Sequence, residues 1–207
     1  MSRLVGFQER IRVGGRSVLT LADIVPSSGP TRMLIVGKTP SPVSVAAGHY
    51  YQGRHGRFLW STLTAWGLLA VPDGRHEDEV LVEHGHGITD VVKVPRQPGT
   101  EPSPDEYAAG WADLKLELER LRPSVTLWTY KGALDKVLRL GIGKAIATDY
   151  GFNPRLVPIF GCRVFVFGMP GTPCTSEQLD RSMAALRRFL DGLPATGSAA
   201  SRARRRR

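Results

Sequence analysis

Three stretches of this chain gather side chains able to bind or transform a ligand. The first reads Gly37-Lys-Thr-Pro-Ser-Pro42 and continues through Gly48-His-Tyr-Tyr-Gln-Gly53 to Arg57-Phe-Leu-Trp60. It crowds Lys38, Thr39, Ser41, Ser44, His49, Tyr51, Arg54, His55 and Arg57 into one short segment. Cations and hydroxyls of this kind bind phosphate oxygens, contacts that fix position without reading sequence, and they equally suit a solvated loop. The second, Gly87-Ile-Thr-Asp-Val-Val92, carries Asp90 at the end of an apolar run. A carboxylate there could order a water or balance a developing positive charge, or it could simply bond loop amides. The third is Gly168-Met-Pro-Gly-Thr-Pro173. Asp149 and Glu83 are further carboxylates, with no motif around them.

Other chemistries find no footing. Glu83, His84 and His86 could hold a metal, but histidines in a loop ordinarily face solvent, so no metal is expected. Cys162 and Cys174 are too few for a disulfide framework or an iron–sulfur site, and no Cys-x-x-Cys pair is present. Gly141-Ile-Gly143 lacks the third glycine of a dinucleotide fingerprint and follows a helix instead of a strand, and no Walker A run exists. No cofactor is therefore expected.

The elements that must position these residues alternate. Met33–Val36, Gly87–Val92, Val125–Trp128 and Arg163–Phe167 are short apolar runs that read as strands buried on both faces. Between and after them, helical spacing is found at Phe58–Trp66, Tyr107–Leu121, residues 131–140 and Leu179–Leu193. Ser103 with Glu106 and Thr175 with Gln178 have capping-box spacing, and Pro104 suits a first helical position. Lys38 to about Gly56 is a long loop, and residues 72–79 read as a polar surface loop. This order predicts a three-layer α/β/α fold around a parallel sheet of about four strands. Ligands in such sheets bind at the carboxyl ends of the strands. The site is therefore expected from the loops after the first, second and fourth strands.

The chain has 207 residues with 28 Lys and Arg against 19 Asp and Glu, a net charge of +9. Arg202, Arg204, Arg205, Arg206 and Arg207 account for much of this; without them 23 basic residues face 19 acidic ones. One domain over residues 1–193 is expected, with a disordered basic tail at 194–207 that could act as an electrostatic tether to nucleic acid or serve no such purpose. No apolar window is long enough to cross a membrane and no secretory signal opens the chain. A cytoplasmic monomer is expected.

The motifs, taken in order, resemble the uracil-DNA glycosylase superfamily, most closely its thymine-DNA and mismatch-specific uracil-DNA glycosylase branch. That branch carries a strand, Gly-x-Asn-Pro, Gly-His-x-Tyr, a Phe-Trp helix, and a late strand ending in Met/Asn-Pro-Ser. Leu34–Leu69, Gly87–Pro95 and Gly168–Thr172 supply the corresponding segments here, and the order of elements agrees over roughly residues 18–193. The resemblance implies a monofunctional glycosylase of base excision repair that flips a deaminated base, uracil first, into a pocket and hydrolyses its N-glycosidic bond. It also implies DNA as the partner and no cofactor. Asp90 and Thr39 would be the catalytic pair. Gly37, Lys38, Pro40, Tyr51 and Met169 would bind the base, with Tyr51 stacking on it or serving as a plain tyrosine. Ser41, His49, Arg54, Pro170, Thr172 and Pro173 would meet the DNA, with Pro173 either a wedge or only the shape of its turn. Thr39 departs from the family's Asn or Asp, which holds the attacking water. That departure keeps a second reading open: a protein of the same fold that binds damaged DNA with weak or no catalysis. Hydrolysis of free nucleosides is a third.

Overall fold

A computed structural model describes residues 3–27 and 30–194; the arginine tail expected at the C-terminus falls beyond residue 194, outside the described residues. Gln8–Val13 (β1) and Arg16–Leu21 (β2) form an antiparallel hairpin. Met33–Gly37 (β3), Pro42–Ala47 (α1), Gly56–Ala65 (α2), His86–Asp90 (β4) and Pro104–Leu121 (α3) follow. Val125–Trp128 (β5), Lys131–Lys136 (α4), Gly151–Phe152 (β6), Val157–Phe160 (α5), Arg163–Val166 (β7) and Ser176–Asp191 (α6) complete the fold. α4 runs directly into a π turn at Val137–Gly141.

The central sheet has five strands in the order β4-β3-β5-β7-β6. β4, β3, β5 and β7 are mutually parallel, and they are the four strands expected from the apolar runs. β6 adds an antiparallel edge of two residues, too short to leave a periodic signal. β3 parts its side chains between two cores. Met33 and Ile35 pack with Leu59 and Leu63 of α2 and with Met183 and Leu186 of α6. Leu34 and Val36 pack with Leu114 and Leu118 of α3 and with Leu134 of α4. That partition is the three-layer arrangement, and it explains why all five residues of β3 are buried and apolar instead of alternating.

Three local expectations are corrected. The segment after β3 is not all loop: Ser41 caps α1, its Oγ accepting from the Ser44 amide at 3.2 Å, and Pro42 stands at the first turn, so a short helix forms there. Residues 72–79 are not all surface loop: Glu77–Val80 is a 3-10 turn that buries Asp78 and Val80. His86 is not a loop histidine: it opens β4 and is buried, its Nε2 lying 3.1 Å from the Leu68 carbonyl oxygen. Ser103 and Glu106 do form their capping box at the start of α3. Among the described residues no helix is long and apolar enough to cross a membrane.

Candidate active site

The chain leaves β3 for β4 on one side and later returns to β5 on the other, so the loops at the carboxyl ends of these strands part. At that switch point a pocket of about 520 Å³ opens, a volume suited to a small organic ligand. Lys38, Thr39, Pro40, Ser41 and Val43 form one wall. Tyr50, Tyr51, Gly53 and Arg54 form another, Arg96, Gln97, Pro98 and Gly99 a third, and Asp90 and Tyr130 complete it.

The floor is tightly built. A Cβ on Gly37 would fall 1.9 Å from Asp90 Oδ1 and 2.7 Å from the Tyr51 hydroxyl, so only glycine lets β3 pass beneath these two groups. Thr129 Oγ1 donates to the Val36 carbonyl at 3.3 Å and accepts from the Tyr51 hydroxyl at 2.7 Å, which fixes the ring at its far end. Trp60 of α2 meets that ring edge-on, with centroids 5.9 Å apart. Burial, and then the nearby charge of Asp90, raise the pKa of Tyr51, so it stays a neutral phenol. Tyr130 is raised for the same two reasons.

Asp90 is 4 % exposed and its Oδ2 has no hydrogen-bond partner. Burial raises its pKa to about 7; Lys93 opposes the shift and Asp23 adds to it. The opposition is limited because the Lys93 ammonium is committed elsewhere, to Asp23 at 2.5 Å and to the Thr89 hydroxyl at 2.6 Å. A buried carboxyl that changes charge near neutrality and keeps an idle oxygen has the character of a reactive group. Around it, Lys38 is paired with Glu101 at 2.7 Å and Arg96 with Glu106, whereas Arg54 lies exposed at the lip. The Arg96 Nε is buried without a partner.

Gly37, Lys38, Thr39, Pro40, Ser41, Tyr51, Arg54 and Asp90 are thus brought together, though the Ser41 hydroxyl is occupied in capping α1. The remaining sequence candidates lie elsewhere. His49 is 6 % exposed and turned away from the pocket wall, with its Nδ1 2.9 Å from Asp78 Oδ1. Met169 is 3 % exposed and packs in the core between the sheet and helices α2 and α6. Its carbonyl accepts from the Thr172 amide and hydroxyl, at 3.3 and 2.7 Å, closing a tight turn whose Pro170, Thr172 and Pro173 are not among the residues that line the pocket. The loop after the fourth parallel strand is therefore replaced in the pocket by Tyr130, from the loop after β5. Tyr130 follows the carboxyl end of buried β5 by two residues, and that position was a usable signal. Arg96–Gly99 carried only a Pro-rich composition. Asp78 carried none, because its contacts are long-range.

Among the described residues no group of three or more metal-ligating side chains gathers. What the fold and pocket define is a doubly wound α/β protein with a small-ligand cleft at its switch point, walled by tyrosines and containing a carboxyl that titrates near neutrality. The sequence profile of the uracil DNA glycosylase superfamily matches residues 26–187, and the chain belongs to that superfamily. It is similar to the G/U mismatch-specific uracil DNA glycosylase of Schizosaccharomyces pombe, with 29 % identity over 139 residues, covering 64 % of this chain and 42 % of that protein. The chain thus spans less than half the length of that relative.

Proposed function

We propose that this protein is a monofunctional DNA glycosylase that takes a deaminated base, uracil foremost, from DNA and hydrolyses its N-glycosidic bond to leave an abasic site for base excision repair. The observation that carries the reading is the pocket itself: Asp90 and Tyr51 share one floor at the switch point in a chain of this superfamily. A stacked base is out of reach of any enzyme group, so the nucleotide must leave the helix, at a cost of a few kcal/mol. Stacking on Tyr51 would return ~1–3 kcal/mol of that cost. As the bond breaks, the electron pair leaves with the base, and positive charge develops on the sugar. The Asp90 carboxylate is suited to stabilising that charge and to ordering the water that attacks C1′, with the Thr39 hydroxyl as a second ligand to the water. The backbone at Gly37, Lys38, Thr39 and Pro40 would receive the base oxygens, and neutral Tyr51 and Tyr130 avoid repelling the departing anion. Met169, expected to meet the base through its backbone, is left out of this reading because it is not among the residues that line the pocket.

DNA is the proposed partner, held by Arg54, by the backbone at Ser41, by the surface turn of Pro170, Thr172 and Pro173 and by the terminal arginines. The domain proposed is residues 1–193 with the tail at 194–207, acting as a monomer in the cytoplasm or nucleoid without a cofactor. Thr39, which has no charge and little basicity, favours one rival: a protein that holds damaged DNA without cutting it. A glycosylase assay run beside a gel shift separates the two. Abasic product is expected; retention of uracil-containing DNA with no product would favour the binder.

A further inference from the structure

The turn that carries Tyr51 is held from behind by a carboxylate that the chemistry above does not use. Asp78 is fully buried, in the 3-10 turn that precedes β4. Its Oδ2 accepts from the Tyr50 amide at 2.7 Å and its Oδ1 lies 2.9 Å from His49 Nδ1. Burial raises its pKa, while the bonds from Tyr50 and His49 lower it. Both oxygens thus serve one short turn.

That turn is constrained on every side. The His49 ring stacks on His76, with centroids 3.6 Å apart, and meets Phe7 edge-on at 5.7 Å. The Trp60 indole N–H donates to the Tyr50 carbonyl at 3.0 Å, so Asp78 and Trp60 fix the two backbone polar groups of the same residue. The turn starts at Gly48, with φ +76°, and the residue after Tyr50 is Tyr51, with φ +56°. Glycine adopts such angles freely; a tyrosine does so only where its surroundings impose them. Across the turn, the Gln52 amide donates to Ser44 Oγ at 3.2 Å and the Tyr51 hydroxyl reaches Thr129.

We propose that Asp78, acting through His49 and the Tyr50 amide, is the positioning residue that holds Tyr51 in its left-handed conformation and so keeps the tyrosine ring in place as the pocket wall on which a base lies. The last part rests on the glycosylase reading; the clamp itself does not. Asp78→Asn preserves the clamp, because its amide oxygen accepts from Tyr50 and its amide N–H donates to His49 in the opposite tautomer. Asp78→Ala removes it.

The test is a double-mutant cycle with a structural readout. Wild type, Asp78→Ala, Asp78→Asn, Tyr51→Ala and the Asp78→Ala/Tyr51→Ala double variant are compared for affinity to uracil-containing and normal duplexes. The tyrosine ring resonances are followed by NMR in the proteins that retain Tyr51, with the Tyr51 signal assigned from Tyr51→Phe. Asp78→Ala and Tyr51→Ala are each expected to lower the preference for uracil by about fivefold or more, the double variant no further, and Asp78→Asn to restore it. The Tyr51 signal should move in Asp78→Ala and return in Asp78→Asn, while Tyr107, in the core on the other face of the sheet, stays in place. Additive losses in the cycle, or a Tyr51 signal indifferent to Asp78→Ala, would overturn the proposal. A wild type that shows no preference for uracil contradicts the glycosylase reading alone; the ring signal then decides the clamp. If Asp78→Ala does not fold, His49→Leu, which severs half of the clamp, should move the same signal by less, and no movement would count against it.

Discussion

The Asp90 carboxyl is buried with one oxygen idle, and its pKa of about 7 stands well above the unfolded carboxylate value. Between about pH 4 and pH 7 the folded state therefore holds a proton that the unfolded state has lost. Its contribution to stability is full below about pH 4, declines as pH rises, and is gone above about pH 7, at ~1.4 kcal/mol per unit. Asp90→Asn should accordingly raise stability by a few kcal/mol at about pH 8 and much less at about pH 4, measured as denaturation midpoints at both. An equal change at the two values would mean that the carboxyl is not held neutral by burial. Activity should respond in the opposite sense, because the ionised form is the one that steadies a sugar cation. Asp90→Asn is expected to slow excision by on the order of 10²-fold, and Thr39→Ala by less. If Thr39→Ala abolished excision while Asp90→Asn left it intact, the order of the two roles would be reversed.

At the scale of elements, the pocket floor depends on β3 passing under Asp90 and Tyr51 without a side chain. Gly37→Ala places a methyl group inside contact distance of both, and β3 is pinned by β4 and β5 on either side. It should destabilise the protein by about 1–3 kcal/mol and abolish pocket binding, seen as a lowered melting temperature together with lost affinity for uracil-containing DNA. Unchanged affinity would show that the pocket is elsewhere. The same elements show what was legible beforehand. β3, β5 and β7 could be read because strands buried on both faces are mostly apolar, β4 from Ile88 and the Val91-Val92 pair that follows it, and α3 because Ser103, Pro104 and Glu106 mark its start. The hairpin of β1 and β2 was missed: Glu9, Arg10 and Arg12 interrupt β1, although Val18–Leu21 of β2 is as apolar as β5 and follows the turn residues Gly14 and Gly15. The Tyr51–Asp90 juxtaposition followed from strand order, since Asp90 ends β4 and Tyr51 follows the carboxyl end of its parallel neighbour β3. The replacement of the last loop by Tyr130 did not follow, because the turn at Met169–Thr172 is set by core packing and two hydrogen bonds that local sequence does not reveal. Asp78 was invisible for a related reason: a buried carboxylate looks like any other acid in a polar stretch until its distant partners are known.

At the scale of the whole molecule, charge and chemistry are separable. Five arginines close the sequence, whereas the pocket holds one exposed cation, Arg54, beside Lys38 and Arg96, which are paired with carboxylates. Removing residues 195–207 should weaken binding to any duplex and reduce the slope of log affinity against log salt by up to about 4, without changing the preference for uracil. A salt titration of both forms checks this, and a lost preference would show that the tail reads the lesion and does more than tether the protein. The measurement that bears most directly on the account is single-turnover excision from a uracil-containing duplex, followed across about pH 5.5 to 8.5 for wild type and Asp90→Asn. Abasic product is predicted, with a wild-type rate that climbs with pH and levels off above about 7, and an Asp90→Asn rate that is on the order of 10²-fold lower and flat. No abasic product from the wild type, or undiminished product from Asp90→Asn, would contradict it.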